Sequence, residues 1–204
     1  MPTALDHEFV RALSDFANED LSAFFFDIRK DCLYCDAPDD PKRRAYRSVL
    51  DTLFHALVRY AAPVLVFTSE EVWGTRYPDE GSVHLLEWPE VPFMDQWDDH
   101  WDALRDLREQ VTEAIEPLRR EKVVRSGLEA SVTVPAEAVP AGFTDADLAE
   151  LFISGPVTRG DRLAVARTAD AKCGRCWRLL PEVPEDGALC ARCEDVVDSM
   201  DAVA

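Results

Sequence analysis

Two Cys-x-x-Cys pairs, Cys173/Cys176 and Cys190/Cys193, are separated by the thirteen residues Trp177 to Leu189. Each pair suits a turn-like knuckle whose backbone amides point at sulfur, and two knuckles face to face supply the four-thiolate, tetrahedral shell of a closed structural zinc site. Four protein ligands leave no position for water, so the spacing points to a structural Zn2+ that folds a segment too short for a core of its own. An iron–sulfur cluster, a redox dithiol and a disulfide pair are the other readings of such cysteines. Met1-Pro2-Thr3-Ala4 shows neither a basic nor an apolar leader, which predicts a reducing cytoplasmic setting and argues against disulfides. Four thiolates with one divalent ion leave two negative charges, and Lys172, Arg175, Arg178 and Arg192 stand ready either to balance them or to face an anionic partner.

The rest of the chain must supply the core. At 204 residues and 47% hydrophobic it is long enough for one large or two small domains, and no apolar run nears the roughly 20 residues that span a bilayer. The net charge of −18 excludes unaided long-range attraction to nucleic acid or anionic lipid, so any phosphate contact has to come from local basic clusters.

Hydrophobic spacing predicts a helical first part. Leu5, Phe9, Leu13 and Phe16 mark one amphipathic helix, and Leu21, Phe25, Ile28, Cys32 and Cys35 mark a second. Cys32 and Cys35 thus fall on an apolar seam and read as small core residues rather than as metal ligands or redox thiols. Asp40-Pro41 opens a third helix with the buried stripe Leu50, Leu53, Leu57 and Tyr60, and Pro63 ends it. Thr68-Ser69-Glu70-Glu71 reads as a capping box for a short fourth helix through Trp73. Tyr77 to Asp95 reads as a loop with a short extended Ser82-Val83-His84-Leu85, in which His84 is a bystander. A long helix follows with Trp97, Trp101, Leu104, Val111, Ile115 and Leu118 on one face, and Pro117 is expected to kink or end it.

Beyond residue 125 the period shortens. Ser131 to Val134, Leu151 to Ile153 and Leu163 to Ala166 read as strands, and Asp145 to Glu150 as a helical turn. The predicted architecture is a mainly α helical bundle over 1–125, followed by a small α+β zinc-binding end: a mixed junction over 126–170 and the four-cysteine module over 171–204.

No Ser/His/Asp grouping, glycine-rich phosphate loop or His-bearing metal spacing is visible, and paired acids such as Asp98/Asp99 and Glu70/Glu71 read as surface or capping charge. Basic clusters remain. Arg119, Arg120, Lys122 and Arg125 stand against one acid, Glu121, at the bundle's exit. Lys42, Arg43, Arg44 and Arg47 crowd the start of the third helix, where cations oppose the helix dipole unless Asp36, Asp39 and Asp40 or a ligand offset them. The Arg119 to Arg125 group favours phosphate contact over a merely solvated face.

These residues also resemble a known family. Asp20 to Asp31 (DLSAFFFDIRKD) and Ala62 to Trp73 (APVLVFTSEEVW) are similar to the anticodon-binding helical domain of bacterial isoleucyl-tRNA synthetases. Ser82 to Leu85, Ser126-Gly127-Leu128-Glu129-Ala130 and Lys172-Cys173-Gly174-Arg175-Cys176-Trp177 with its second knuckle agree in order, the match being weakest from Pro135 to Arg162. One departure is Val124-Arg125-Ser126-Gly127, where the family shows Ile-Gly-Ser-Ser. The resemblance implies a C-terminal piece of a larger, monomeric ligase that uses ATP in catalytic and editing domains lying upstream, so that this piece has no active site of its own. It implies that the helical part and the zinc end hold the anticodon arm of an isoleucine tRNA. Contacts are then expected from Arg119, Arg120, Lys122, Arg125, Arg43, Arg44, Arg47, Lys172, Arg175, Trp177 and Arg178. Trp177 could stack on a base, although packing against the knuckle is the expectation. A zinc-ribbon protein-interaction module and a thiol oxidoreductase using Cys32 and Cys35 are the rival readings.

Overall fold

The computed structural model describes residues 4–90 and 100–201, the side chains of 4–6 and 201 excepted. The expectations for Met1 to Thr3, Leu5, Asp95, Trp97, Asp98 and Asp99 lie outside it. The chain gathers into two compact units, Met1–Asp27 with Pro38–Asp95 and Ile28–Ala37 with Gln96–Ala204. In this grouping the long fifth helix gathers with the strands, and so does Ile28–Ala37.

In the first unit, α1 (Ala4–Asp15) runs into π-helical turns over Phe16–Phe26, wider turns that let Leu21 be buried while Phe24, Phe25 and Phe26 share partial cover. The third helix, α3 (Pro41–Ala61), begins as its sequence predicts. The Asp40 carboxylate accepts from the amides of Lys42 at 2.8 Å and Arg43 at 3.1 Å, and Pro41 sits where no amide is needed. Its fully buried residues are Tyr46, Ala56 and Val58; Leu50, Leu53, Leu57 and Tyr60 are half-buried.

The fourth helix, α4 (Val66–Arg76), differs from expectation. Amides of Val64 and Leu65 both return to the Ala61 carbonyl, at 2.9 and 2.7 Å, so the turn after Pro63 feeds the helix two residues early and Thr68 is already inside it. There is no capping box. Glu70 instead accepts from Ser82 Oγ at 2.8 Å and the Val83 amide at 3.1 Å, folding Val83–Leu85 into one tight 3-10 turn rather than an extended strand. Val58, Ala62, Trp73 and Val83 form this unit's core, with Phe54, Tyr77 and Leu86 around it. Phe9 of α1 meets the rings of Tyr60 and Trp88 edge-on.

In the second unit, α5 (His100–Arg120) buries Leu104, Leu107, Val111 and Ile115, a helical stripe that packs toward strand β3 (Ala164–Arg167) and helix α6 (Asp145–Phe152). Pro117 stands in its last turn, exposed, and the helix ends three residues later. A three-stranded sheet has β1 (Ala130–Pro135) in the middle, parallel to β2 (Val157–Gly160) and antiparallel to β3, with Val132 opposite both Val157 and Val165. Alternate residues Ala130, Val132 and Val134 are buried.

Two expectations are corrected here. Leu151-Phe152-Ile153 is not a strand: Thr144 and Asp147 form a reciprocal cap that opens α6, placing Leu148, Leu151 and Phe152 on one buried helical face, and Ile153 ends it at φ +52°. Three adjacent apolar residues carry no period of their own, so the cap decided the matter. The strand β2, Val-Thr-Arg-Gly, was not predicted, being four residues long with a polar exposed half. Beyond the sheet come the short ladder β4 (Ala171–Lys172) and β5 (Leu179–Leu180), then α7 (Ala191–Asp201). The architecture is thus mainly helical with a small α+β, four-cysteine end.

Candidate metal centre and nucleic-acid interface

Cys173 and Cys176 lie in the turn that joins β4 to β5, Cys190 immediately precedes α7, and Cys193 lies in its first turn. The Gly187 amide donates to the Lys172 carbonyl at 2.9 Å and the Gly174 amide to Ala188 at 3.0 Å, locking the two knuckles side by side. Glycine is required at 174 because a Cβ there would run into the Gly187 carbonyl oxygen, and Gly187 itself lies at φ +97°.

All four cysteines are buried and free, and their sulfurs lie within 4.8 Å of one another, Cys176 and Cys190 at 3.9 Å. A tetrahedral metal with bonds of about 2.3 Å to sulfur needs sulfurs about 3.8 Å apart, so the set fits a closed metal shell. Knuckle amides reach the sulfurs, as in Cys190 N–H to Cys173 Sγ at 3.4 Å. In the metal-free polypeptide, burial raises the Cys173 thiol, but amides of Cys176, Arg175 and Cys190 outweigh it and bring the pKa down to about 6. Cys190 is pushed up to about 12, first by burial and then by the neighbouring thiols. Metal entry must therefore displace protons.

Two arginines answer the thiolate charge. The Arg175 Nη1 donates to the Cys35 carbonyl at 2.7 Å and lies 3.5 Å from Cys193 Sγ. Arg192 grips both oxygens of Asp31, at 2.6 and 2.9 Å, and Asp36 at 2.8 Å, while donating toward the Cys176 sulfur. Asp36, one of the acids expected to offset the α3 cations, thus also accepts a charge-assisted bond from the metal module. These ties bridge more than 130 residues of sequence, between helix α2 (Asp27–Cys35) and the knuckles, and no local pattern signals them. Cys35 packs into the same cluster as the four ligands.

Cys32 and Cys35 are both buried, and burial, then the Asp31 charge, pushes Cys35 up to about 11. A reactive thiol needs exposure and a lowered pKa, so the oxidoreductase reading fails.

The basic residues separate into three groups. Arg119, Arg120, Lys122 and Arg125 are all exposed around the end of α5. Their acid partner is Glu116, 3.4 Å from Arg119 and 3.6 Å from Arg120, rather than Glu121. Arg167, which sequence reasoning missed, joins them from β3, its Nη1 donating to the Val123 carbonyl at 3.2 Å. An open groove of about 490 Å³ is lined by both signs of charge, Arg167 and Lys172 with Glu129, Asp170 and Asp186. Arg43, Arg44 and Arg47 lie on α3 in the other unit, Arg44 and Arg47 exposed, Arg43 half-buried.

On the module itself Lys172 is exposed, whereas Arg175 and Arg178 are half-buried, the Arg178 carbonyl accepting from the Cys173 amide at 2.9 Å. Trp177 corrects the sequence expectation. It does not pack into the knuckle: it is 62% exposed, at φ +66°, with the Lys172 ammonium 5.3 Å from the ring centroid. A bulky residue at positive φ is uncommon, and this backbone conformation turns the indole out into solvent. A cation beside an exposed aromatic face is a platform on which a base can stack and a phosphate be neutralised.

A family model described as the anticodon-binding domain of tRNA ligase matches residues 7–134. Among curated proteins, the isoleucine–tRNA ligase of Zymomonas mobilis subsp. mobilis is 56% identical over 206 residues, covering 94% of this chain and 22% of that protein. The isoleucine–tRNA ligases of Gluconobacter oxydans and Agrobacterium fabrum are 46% and 44% identical, over 92% and 86% of this chain and 21% and 20% of theirs. The chain spans about one fifth of the length of these relatives.

Proposed function

Since the chain belongs to the anticodon-binding domain family of tRNA ligases, we propose that it binds the anticodon arm of an isoleucine tRNA as part of an isoleucine–tRNA ligase. ATP-dependent activation of isoleucine and its transfer belong to the remainder of the polypeptide, an upstream catalytic domain, in a monomeric cytoplasmic enzyme. Among the described residues no helix is long and apolar enough to cross a membrane.

The observation that carries this reading is the exposed cation group Arg119, Arg120, Lys122 and Arg125, which lies inside the matched span on a chain of net charge −18. Such a group is the local attraction that phosphate needs when the whole molecule repels it. Cys173, Cys176, Cys190 and Cys193 would hold one Zn2+ as a structural ion, whose chemistry there would be to fix the two knuckles. The chain's own residues do the binding. The α5 cations and Arg167 neutralise phosphates, Lys172 does so beside Trp177, and the Trp177 indole offers a stacking face to an unpaired loop base. Arg175 and Arg178 contribute by holding the knuckle and Arg192 by seating it on α2. Arg43, Arg44 and Arg47 form a second, separate cationic face. In this reading the helical part over 1–125, the junction over 126–170 and the zinc module over 171–204 act as one RNA-binding appendage.

Charge reversal tests the reading. Glutamate at positions 119, 120 and 122 removes three phosphate partners, so the salt dependence of tRNA binding, about −0.7 per neutralised single-strand phosphate on log axes, flattens by about two. An unchanged slope removes the α5 group from the interface.

A further inference from the structure

The first unit carries a strongly apolar surface that contains none of the candidate cations or cysteines described above. Phe67, in the first turn of α4, is 90% exposed, and Leu85 is 85% exposed. Val64, Leu65, Val66 and Val72 are exposed beside them, so residues 64–67 are four consecutive apolar side chains facing solvent. A run of this kind is a liability for a free-standing domain.

The surface is built rather than frayed. His84 Nε2 lies 3.1 Å from the Val66 carbonyl, and Glu70 holds Ser82 Oγ and the Val83 amide, so the turn that carries Leu85 is pinned against the start of α4. Trp73 and Val83 are buried beneath. Two large side chains are thus presented outward from a rigid support, as anchor residues are in protein interfaces. From Ala61 to Ser69 there is no charged residue, in a chain that is 30% charged. Phosphate therefore has nothing to meet here.

We infer that Val64–Phe67 together with Leu85 form a docking surface for the remainder of the ligase polypeptide, the roughly four fifths of its relatives' length that this chain does not span. The inference rests on the functional reading above. Buried against that part, the face fixes the anticodon-binding unit relative to the catalytic part through an apolar interface, with Phe67 and Leu85 entering pockets on the partner surface.

Hydroxyl-radical footprinting of this chain alone and of the full-length ligase that contains it tests the proposal, with isoleucine ligation to tRNA measured on the same full-length preparation. Labelling of Phe67 and Leu85 falls roughly fivefold or more in the full-length protein, as for side chains entering an interface core. That fall is independent of tRNA and of protein concentration, and Phe67→Asp, a change at an exposed position, restores labelling at Leu85. Equal labelling in both proteins with ligation intact overturns the docking and leaves the functional reading standing. Protection that requires tRNA, or that grows with concentration, assigns the face to RNA or to a second copy and overturns it as well. A full-length protein that does not ligate isoleucine sinks the reading on which the inference rests.

Discussion

At the scale of single residues, Arg192 does the most to join distant parts of the sequence. One guanidinium satisfies Asp31 and Asp36 and faces a metal-ligand sulfur, with all three side chains less than a third exposed. Arg192→Met keeps much of the apolar stem and leaves two carboxylates without their partner. Charge-assisted hydrogen bonds of this kind contribute about 2 kcal/mol, so chemical denaturation of the metal-loaded protein near pH 7 is expected to show a loss of that order. The pH trend has a definite sign. Burial raises the Asp31 carboxyl, but the hydrogen bond and charge of Arg192, together with the charge of Arg178, outweigh it and hold the pKa below its ordinary value of 3.8. The stabilisation is therefore complete above the ordinary carboxylate range and is lost as pH falls through the lower native value. The stability gap between the native protein and Arg192→Met narrows below about pH 4; a gap independent of pH would mean that the pair is not ionic.

Residues also mark where the sequence was silent. The four-cysteine cluster was legible because its spacing repeats a local turn twice. Asp31 and Asp36 were not, since their partner lies more than 150 residues away and nothing about an aspartate in a helix announces it. Trp177 was misread for a different reason: hydrophobicity predicts burial, and only the backbone angle shows that the knuckle turns the indole outward.

At the scale of elements, caps decided what periodicity could not. Asp40-Pro41 and the long α5 stripe were readable because a cap or a sustained 3.6-residue period fixes the assignment. Leu151-Phe152-Ile153 and the turn after Pro63 were not readable, because the outcome depended on which carbonyl the next free amide found. The end of α5 is the informative case. The Val123 amide returns to Leu118 at 2.9 Å and the Lys122 amide to Arg119 at 3.1 Å, a Schellman closure whose left-handed position, φ +59°, is occupied by lysine. Glycine there would remove about 1 kcal/mol of strain. Lys122→Gly is therefore expected to raise the thermal midpoint while weakening tRNA binding through the loss of one proposed phosphate partner. A variant that gains stability with undiminished affinity would show that Lys122 is only a poor cap.

At the scale of the whole molecule, the proposed metal and the proposed anticodon arm should have separable effects. The second unit's sheet is built from β1, β2 and β3 without the cysteines, and the first unit has its own core around Trp73. Chelation of the proposed zinc is expected to release β4, β5 and α7 and to loosen α2 and the residue after it, since Asp31, Cys35 and Asp36 are tied to the module. Residues 41–76 and 130–135 should keep their hydrogen-exchange protection. Global loss of protection would make the ion a requirement for the entire fold rather than for one module.

The proposed role of this chain is recognition of the anticodon arm. Its most direct test is a titration of the zinc-loaded chain with an isoleucine tRNA transcript and with the same transcript carrying a changed anticodon, at low and at moderate salt. Tighter binding of the native transcript, with the difference between the two surviving the higher salt while both affinities fall, is the predicted result, since phosphate contacts are screened and base contacts set the ratio. Equal affinity for the two transcripts at both salt concentrations would contradict it.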